Sequence, residues 1–118
     1  MKITIPVSVG ELLDKITILE IKSKYTDNEY VIKELNDLNE IRNTITSYTM
    51  EYMDELKDVN QKLWDIEDRL REKEKLQEFD VEFIELARSV YMTNDLRAAI
   101  KKKINEETRS DYQEVKLY

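Results

Sequence analysis

The chain has 118 residues, with 26 Asp and Glu against 19 Lys and Arg, so its formal net charge is −7. That charge argues against generic binding to nucleic acid or to an anionic membrane surface. The sequence contains no His and no Cys, which excludes thiol catalysis, Cys-based zinc sites and iron–sulfur clusters, and removes the usual neutral-pH general base. We expect no metal and no cofactor, although carboxylates remain available as metal ligands. The length fits one helical domain, residues 1–118, and the lack of Cys fits a cytoplasmic protein.

The first elements of the chain are marked by alternation and by a helix cap. Residues 1–7 alternate apolar and polar side chains, which predicts a short strand. Ser8 and Glu11 follow with the spacing of a capping box, in which each side chain satisfies a free amide at the start of a helix. We expect the first helix to begin there and to end near Lys24.

The longest pattern in the sequence lies between Asn28 and Gln77, and a second capping box, Thr26 with Glu29, precedes it. Its apolar positions step by four and three residues, which is the spacing of a coiled-coil heptad. The series, called the heptad stripe below, is Val31, Leu35, Leu38, Arg42, Ile45, Thr49, Tyr52, Leu56, Val59, Leu63, Ile66 and Leu70. It leaves open whether residues 28–77 form one helix or two. We expect either a bend near residues 43–49 or a partner chain along the far end.

The last third of the chain again has helical spacing. Asp80 is a plausible cap, and apolar residues then recur to about Met92. The polar triplet 93–95 interrupts them, so we predict a second helix from Asp95 to about Glu107, or one kinked helix. The tail from residue 112 to 118 alternates like the N-terminus.

One Gly and one Pro leave little room for the turns of an all-β fold, so the sequence indicates an all-α protein. We predict an antiparallel helical bundle, built on the long central helical stretch. The extended N- and C-terminal segments are candidates for a small two-stranded ribbon, and the sequence leaves open whether they pair.

Two groups of charged residues have spacings that suit a ligand. Acids on the central stretch and on the last helix have helical spacings that suit Mg²⁺, although a solvated acidic face explains them better: Glu51, Asp54, Glu55, Glu82 and Glu85. Arg97 and Lys101 to Lys103 form a basic patch in an acidic protein, near a possible helix start, where an anion could bind.

Four stretches resemble a family of short, uncharacterised bacterial and phage proteins that carry a domain of unknown function. They read IPVSVGELLDKITILEIK from Ile5, LWDIEDRLREKE from Leu63, FDVEFIELARSVYMTNDLRAAIKKKIN from Phe79, and EVKLY at the end of the chain. The resemblance covers about half the chain and implies that these segments form one fold. It implies a surface-polysaccharide or phage context and supplies no activity or catalytic residue.

The matched segments contain polar residues that look unlike ordinary core or surface, and we predict that they form one polar or anion-binding site across three helices. They are Asp14, Lys15, Asp65, Glu67, Asp68, Arg88, Asn94, Asp95 and Arg97. The sequence favours a non-catalytic helical module that forms a homo-oligomer, most simply a dimer, or binds a protein partner. The alternative is a small all-α enzyme or anion-binding protein, with Lys15, Arg88 and Arg97 converging on one cavity.

Overall fold

Four helices make up the ordered architecture of the computed structural model, which describes residues 1–45 and 50–118. They are α1 (Val9–Ser23), α2 (Glu29–Arg42), α3 (Met50–Lys75) and α4 (Val81–Glu107). Those two ranges contain no strand, so the all-helical class is as expected, whereas the strand predicted for residues 1–7 is absent. Both terminal segments are exposed and extended, and the predicted ribbon between them does not form.

In the described part of the chain three side chains cap the starts of helices, and two of them match the sequence expectation. Ser8 accepts a hydrogen bond from the amide of Glu11 over 3.1 Å, and Asp80 accepts one from the amide of Phe83 over 3.0 Å. The predicted box at Thr26 is wrong, because Asn28 caps α2 by accepting from the amide of Tyr30. The hydroxyl of Thr26 instead accepts a hydrogen bond from the amide of Asn28, the residue directly before α2.

Helix α1 is the centre of the fold. In the described part of the chain it packs against α2, α3 and α4, whereas α2 packs only against α1. Apolar residues lie on several sides of α1, so one covering helix would leave part of it in water. Its inward side chains join residues of α3 and α4 in the core, which comprises Leu12, Leu13, Ile16, Met53, Leu56 and Ile104. The prediction that the bundle is built on residues 28–77 is therefore wrong.

The heptad stripe divides between two helices that do not pack on each other in the described ranges. α2 ends at Arg42 and α3 begins at Met50, in agreement with the expected break, and Thr46 to Thr49 lie outside the described residues. Every described member of the stripe is buried or half-buried. The stripe is thus covered by the chain itself, mainly through α1 and α4, and it leaves no bare seam for a partner.

Helix α4 runs without interruption for 27 residues, so the two predicted helices are one. Thr93 is buried, and Asn94 is half-buried and accepts a bond from Arg97, one turn later in the same helix, so burial and a local bond hold these residues in the helix. Their weak helix preference is overridden. None of the helices in the described ranges is both long enough and apolar enough to cross a lipid bilayer.

Ion pairs hold the connection between α3 and α4. The ammonium of Lys73 is only 3% exposed and contacts Asp80 at 2.7 Å, Glu78 at 3.2 Å and Glu82 at 3.5 Å. One helical turn earlier, Arg69 contacts Glu82 at 2.8 Å. Residues near the end of α3 therefore contact residues at and just before the start of α4. The two helices run back along each other as a hairpin.

Candidate functional site

A buried carboxylate lies where α1, α3 and α4 meet. Asp14 is 1% exposed, and the Arg97 guanidinium binds both of its oxygens, with Nε 2.8 Å from Oδ1 and Nη2 on Oδ2. The amide nitrogen of Asn60 donates to Oδ1 over 2.9 Å and also to Thr17. Bidentate pairing with a guanidinium is the strongest arrangement available to a carboxylate. Asp14 therefore has its hydrogen-bonding capacity met from two other helices.

A second cation extends this cluster toward the C-terminal tail. The buried ammonium of Lys101 lies 2.7 Å from Glu11, 3.3 Å from Glu114 and 4.0 Å from Asp14. Together with Asp14 and Arg97, these residues are called the α1–α4 charge cluster below. Its three acids and two bases are paired with one another, so it offers no excess of positive charge to an anion.

These ion pairs shift the pKa values of Arg97 and Glu114. Asp14 raises the pKa of the Arg97 guanidinium above its ordinary value, against the opposing effect of burial. The hydrogen bond from Lys116 lowers the pKa of Glu114, and the charge of Lys101 lowers it further. Both shifts favour the charged forms, so these groups are ionised at neutral pH.

The N-terminus of α1 is closed by internal hydrogen bonds. The amide of Val9 donates to Ser110 over 3.1 Å, and that of Gly10 donates to Asn105 over 2.7 Å. The next amide, that of Glu11, donates to Ser8. The first-turn amides that would bind an anion at a helix N-terminus are thus already occupied.

A cleft of about 460 Å³ opens beside the charge cluster, between α1, α3 and α4. It is lined by Ile18, Asn60, Leu63, Trp64, Glu67, Asp68, Arg71, Asn94 and Arg97. The two acids offset the two arginines, and Arg97 is already bound to Asp14. Trp64 stacks on Tyr25 with ring centroids 5.0 Å apart, which fixes the indole at one side of the cleft.

The structure brings together five of the nine predicted site residues. Glu67, Asp68, Asn94 and Arg97 line the cleft, and Asp14 lies beneath it. Lys15 points away and pairs with Glu34 of α2 at 3.0 Å. The other three are exposed: Asp65 accepts a bond from Gln61, and Arg88 and Asp95 lie on the outer side of α4.

Neither of the two chemical sites suggested by the sequence, the Lys15–Arg88–Arg97 anion site and the Mg²⁺ site, is formed by this arrangement. Lys15, Arg88 and Arg97 do not converge, because only Arg97 reaches the cleft. Over the described residues, no group of three or more carboxylates is placed to hold a metal ion. In particular, Glu82 is engaged by Arg69 and Lys73. The Mg²⁺ arrangement of acids from the central stretch and α4 is therefore not formed.

Several residues of the site were not predicted from the sequence. Asn60 follows the core residue Leu56 by one helical turn, so its inward direction was readable from the helical period. Thr17 follows Asp14 by three residues within an apolar run, which is a similar signal. The partnership of Gly10 with Asn105 had no local signal, because it joins residues 95 positions apart.

A family model described as DUF6165, a family of unknown function, matches residues 1–118, so the chain belongs to that family. The match spans all four helices and the residues of the cleft. No curated protein and no solved structure matches the chain.

Proposed function

We propose that this DUF6165 protein is a non-catalytic helical module, acting in the cytoplasm, that assembles with itself or binds a protein partner. Its helices would form an antiparallel bundle in which the heptad stripe supplies the coiled-coil-like packing. The observation that carries the proposal is a bare apolar surface on α4. We call it the outer face; it comprises Val81, Ile84, Arg88, Tyr91, Met92, Asp95, Leu96 and Ala99.

The outer face lies opposite the side of α4 that packs on the protein. Phe83, Val90, Arg97 and Lys101 point inward, and helical geometry places the outer-face residues on the other side. Its five large apolar side chains are 55–69% exposed. Single exposed apolar residues are ordinary, whereas a continuous apolar patch marks an interaction site.

The overall dimensions support the proposal. A chain of 14.2 kDa ordinarily exposes about 6,800 Å² when folded, whereas this one exposes 8525 Å². Its radius of gyration is 16.1 Å, against about 13.5 Å for a compact domain of this length. The extended segments 1–7 and 111–118 account for part of the excess. A partner that covers α4 would bring the exposed area closer to the ordinary value.

The polar interior also favours binding over catalysis. Asp14 and Lys101, which are buried, and Arg97, which is half-buried, are bound to one another or to nearby acids, so they work as structural links between helices. A catalytic acid or base needs a pKa that lets it exchange a proton near neutral pH, whereas the shifts of Arg97 and Glu114 hold both groups in their charged forms. The α1–α4 charge cluster provides helix-to-helix pairing instead.

Photo-crosslinking in cells tests the proposal. A benzoylphenylalanine at position 91, on the outer face, should yield covalent adducts of defined mass. The same residue at position 30, an exposed tyrosine of α2, is the matched control and should yield none of those adducts. Adducts at both positions, or at neither, would contradict an interaction site on α4.

A second candidate function is ligand binding in the cleft, which the size of the cavity and the presence of Trp64 and Arg71 favour. A thermal-shift screen of dicarboxylates, nucleotides and sugar phosphates tests it, with the fluorescence of Trp64, the only tryptophan, as a local reporter. A saturable response that is lost in Arg71→Met but kept in Arg88→Met would establish this function. A response that is independent of Arg71 would refute it.

A further inference from the structure

We propose that the partner is a second copy of this chain, which docks its own outer face of α4 in antiparallel orientation across a two-fold axis between Tyr91 and Met92. The proposal rests on the proposed function and adds the identity of the partner and the register. Three features carry it: the placement of charge along the outer face, the sizes of its apolar residues, and its available area.

The charges of the outer face are self-complementary. Arg88 and Asp95 are both exposed on one side of α4 and lie seven residues apart, about 10.5 Å along the helix axis, too far to pair with each other. The ion pairs of α4 in the described part of the chain are made by Glu82, Arg97 and Lys101. An axis between residues 91 and 92 is equally distant from positions 88 and 95. It therefore sets Arg88 of each copy against Asp95 of the other.

The apolar residues fit the same register. Tyr91 and Met92 of both copies meet at the axis, where a thioether and an aromatic ring make favourable contacts. Ile84 lies as far from the axis on one side as Ala99 lies on the other, so a large side chain faces a small one. Matching large with small allows two helices to approach closely.

The charges of the outer face also select the antiparallel orientation. Parallel docking would set Arg88 against Arg88 and Asp95 against Asp95. Like charges across an interface are unfavourable, so the sequence disfavours the parallel arrangement.

A standard interface buries about 800 Å² on each partner. The chain exposes about 1,700 Å² more than a folded monomer of its mass ordinarily does, an excess that the outer face shares with the exposed segments 1–7 and 111–118. A two-fold contact uses the same patch on both copies, so the assembly closes at two subunits and does not grow into a filament.

Multi-angle light scattering and sedimentation equilibrium on the full chain test the interface. The wild type should be a dimer. Met92→Glu buries a charge at the axis and should give a monomer with an unchanged helical circular-dichroism spectrum, since Met92 is exposed in the single chain. Ile41→Glu, at an exposed apolar position of α2, is the matched control and should remain dimeric. A dimer that survives Met92→Glu would overturn the outer face as the contact.

Charge reversal tests the register. Arg88→Asp or Asp95→Arg alone should weaken the dimer about tenfold or more, because each sets like charges together. The double variant restores opposite charges and should regain most of the wild-type affinity. If the loss of dimer affinity in the double variant equals the sum of the losses in the two single variants, the antiparallel register is overturned.

The outcomes separate this inference from the proposed function. A wild-type monomer whose position-91 crosslinker captures a different protein would overturn self-docking and leave the interaction module standing. A wild-type monomer without adducts would overturn both.

Discussion

The amide of Gly10 donates a hydrogen bond to Oδ1 of Asn105 over 2.7 Å, which places the first turn of α1 directly on the backbone of α4. A Cβ at Gly10 would lie 2.8 Å from the carbonyl oxygen of Lys101 and 3.0 Å from Asn105 Oδ1. Backbone cannot move aside as a flexible side chain can. The only glycine of the chain is therefore needed for contact between two helices.

Gly10→Ala tests this contact. In an ordinary helix the change would be stabilising, because alanine is the better helix former by about 1 kcal/mol. Here we expect a loss of about 1–3 kcal/mol in the free energy of unfolding, because the methyl group forces α1 away from α4. Urea denaturation followed by circular dichroism gives the sign. An increase in stability would show that the helices can separate without cost.

The buried pair of Asp14 and Arg97 predicts a coupled effect. Asp14→Ala or Arg97→Ala should each lower the free energy of unfolding by about 3–5 kcal/mol, because either change leaves a charge without its partner. The double variant should lose less than the sum of the two, by about 1–3 kcal/mol. Asp58→Ala, an exposed acid of α3, is the control and should change stability by about 0.5 kcal/mol or less. Strict additivity in the double variant would contradict the direct pairing.

The junction of α3 and α4 predicts a loss of stability in acid. The bond from Lys73 lowers the pKa of Asp80 below its ordinary 3.8, and Arg69 lowers the pKa of Glu82 below its ordinary 4.5. The unfolded chain therefore binds protons more readily. The stabilisation is present above these ordinary values and is lost as the pH falls through the lower folded values.

Thermal unfolding between about pH 6 and pH 2.5 measures this effect. Lys73→Met should lower the melting temperature at pH 6 and should flatten its fall in acid, since the lowered pKa of Asp80 depends first on Lys73. Lys62→Met, an exposed lysine of α3, should leave the pH profile parallel to that of the wild type. If the melting temperatures of Lys73→Met and the wild type fall with equal slopes in acid, this junction does not contribute to the loss of stability.

The turn after α3 offers a stabilising substitution. Gln77 has φ 55°, in the left-handed region that costs a residue with a side chain about 1 kcal/mol, and its exposed side chain lies outside the core. We expect Gln77→Gly to raise the free energy of unfolding by about 0.5–1 kcal/mol. Lys62→Gly, at an exposed position in the interior of α3, should lower it by about 1 kcal/mol. If both substitutions change the free energy of unfolding in the same direction, the left-handed conformation of Gln77 is not the cause of the effect.

Local signals accounted for the predictions that were confirmed. Ser8 and Asp80 cap helices because each has a short polar side chain directly before an apolar helical pattern, and that chemistry requires only neighbouring residues. The end of α2 at Arg42 likewise follows from the poor helix formers after it.

One failed prediction was local, since Asn28 and not Thr26 caps α2, and the others concern how the helices pack. Thr93 and Asn94 were expected to separate two helices or to kink one, but Thr93 is buried and α4 runs through both residues without a break. The heptad stripe was the longest pattern, and its length suggested a central element. The centre is α1, whose apolar residues lie on several sides and whose polar Asp14 finds Arg97 83 positions away. Periodicity shows which side of a helix is buried and does not show how many neighbours cover it.

The order in which the helices are made has a consequence for synthesis on the ribosome. The contacts of α1 with α4, from Gly10 to Asn105 and from Asp14 to Arg97, join residues 95 and 83 positions apart. During translation, α1 therefore emerges long before the helix that completes its burial. The side of α1 that packs on α4 therefore stays uncovered until α4 leaves the exit tunnel, and over that interval its apolar residues are exposed to aggregation.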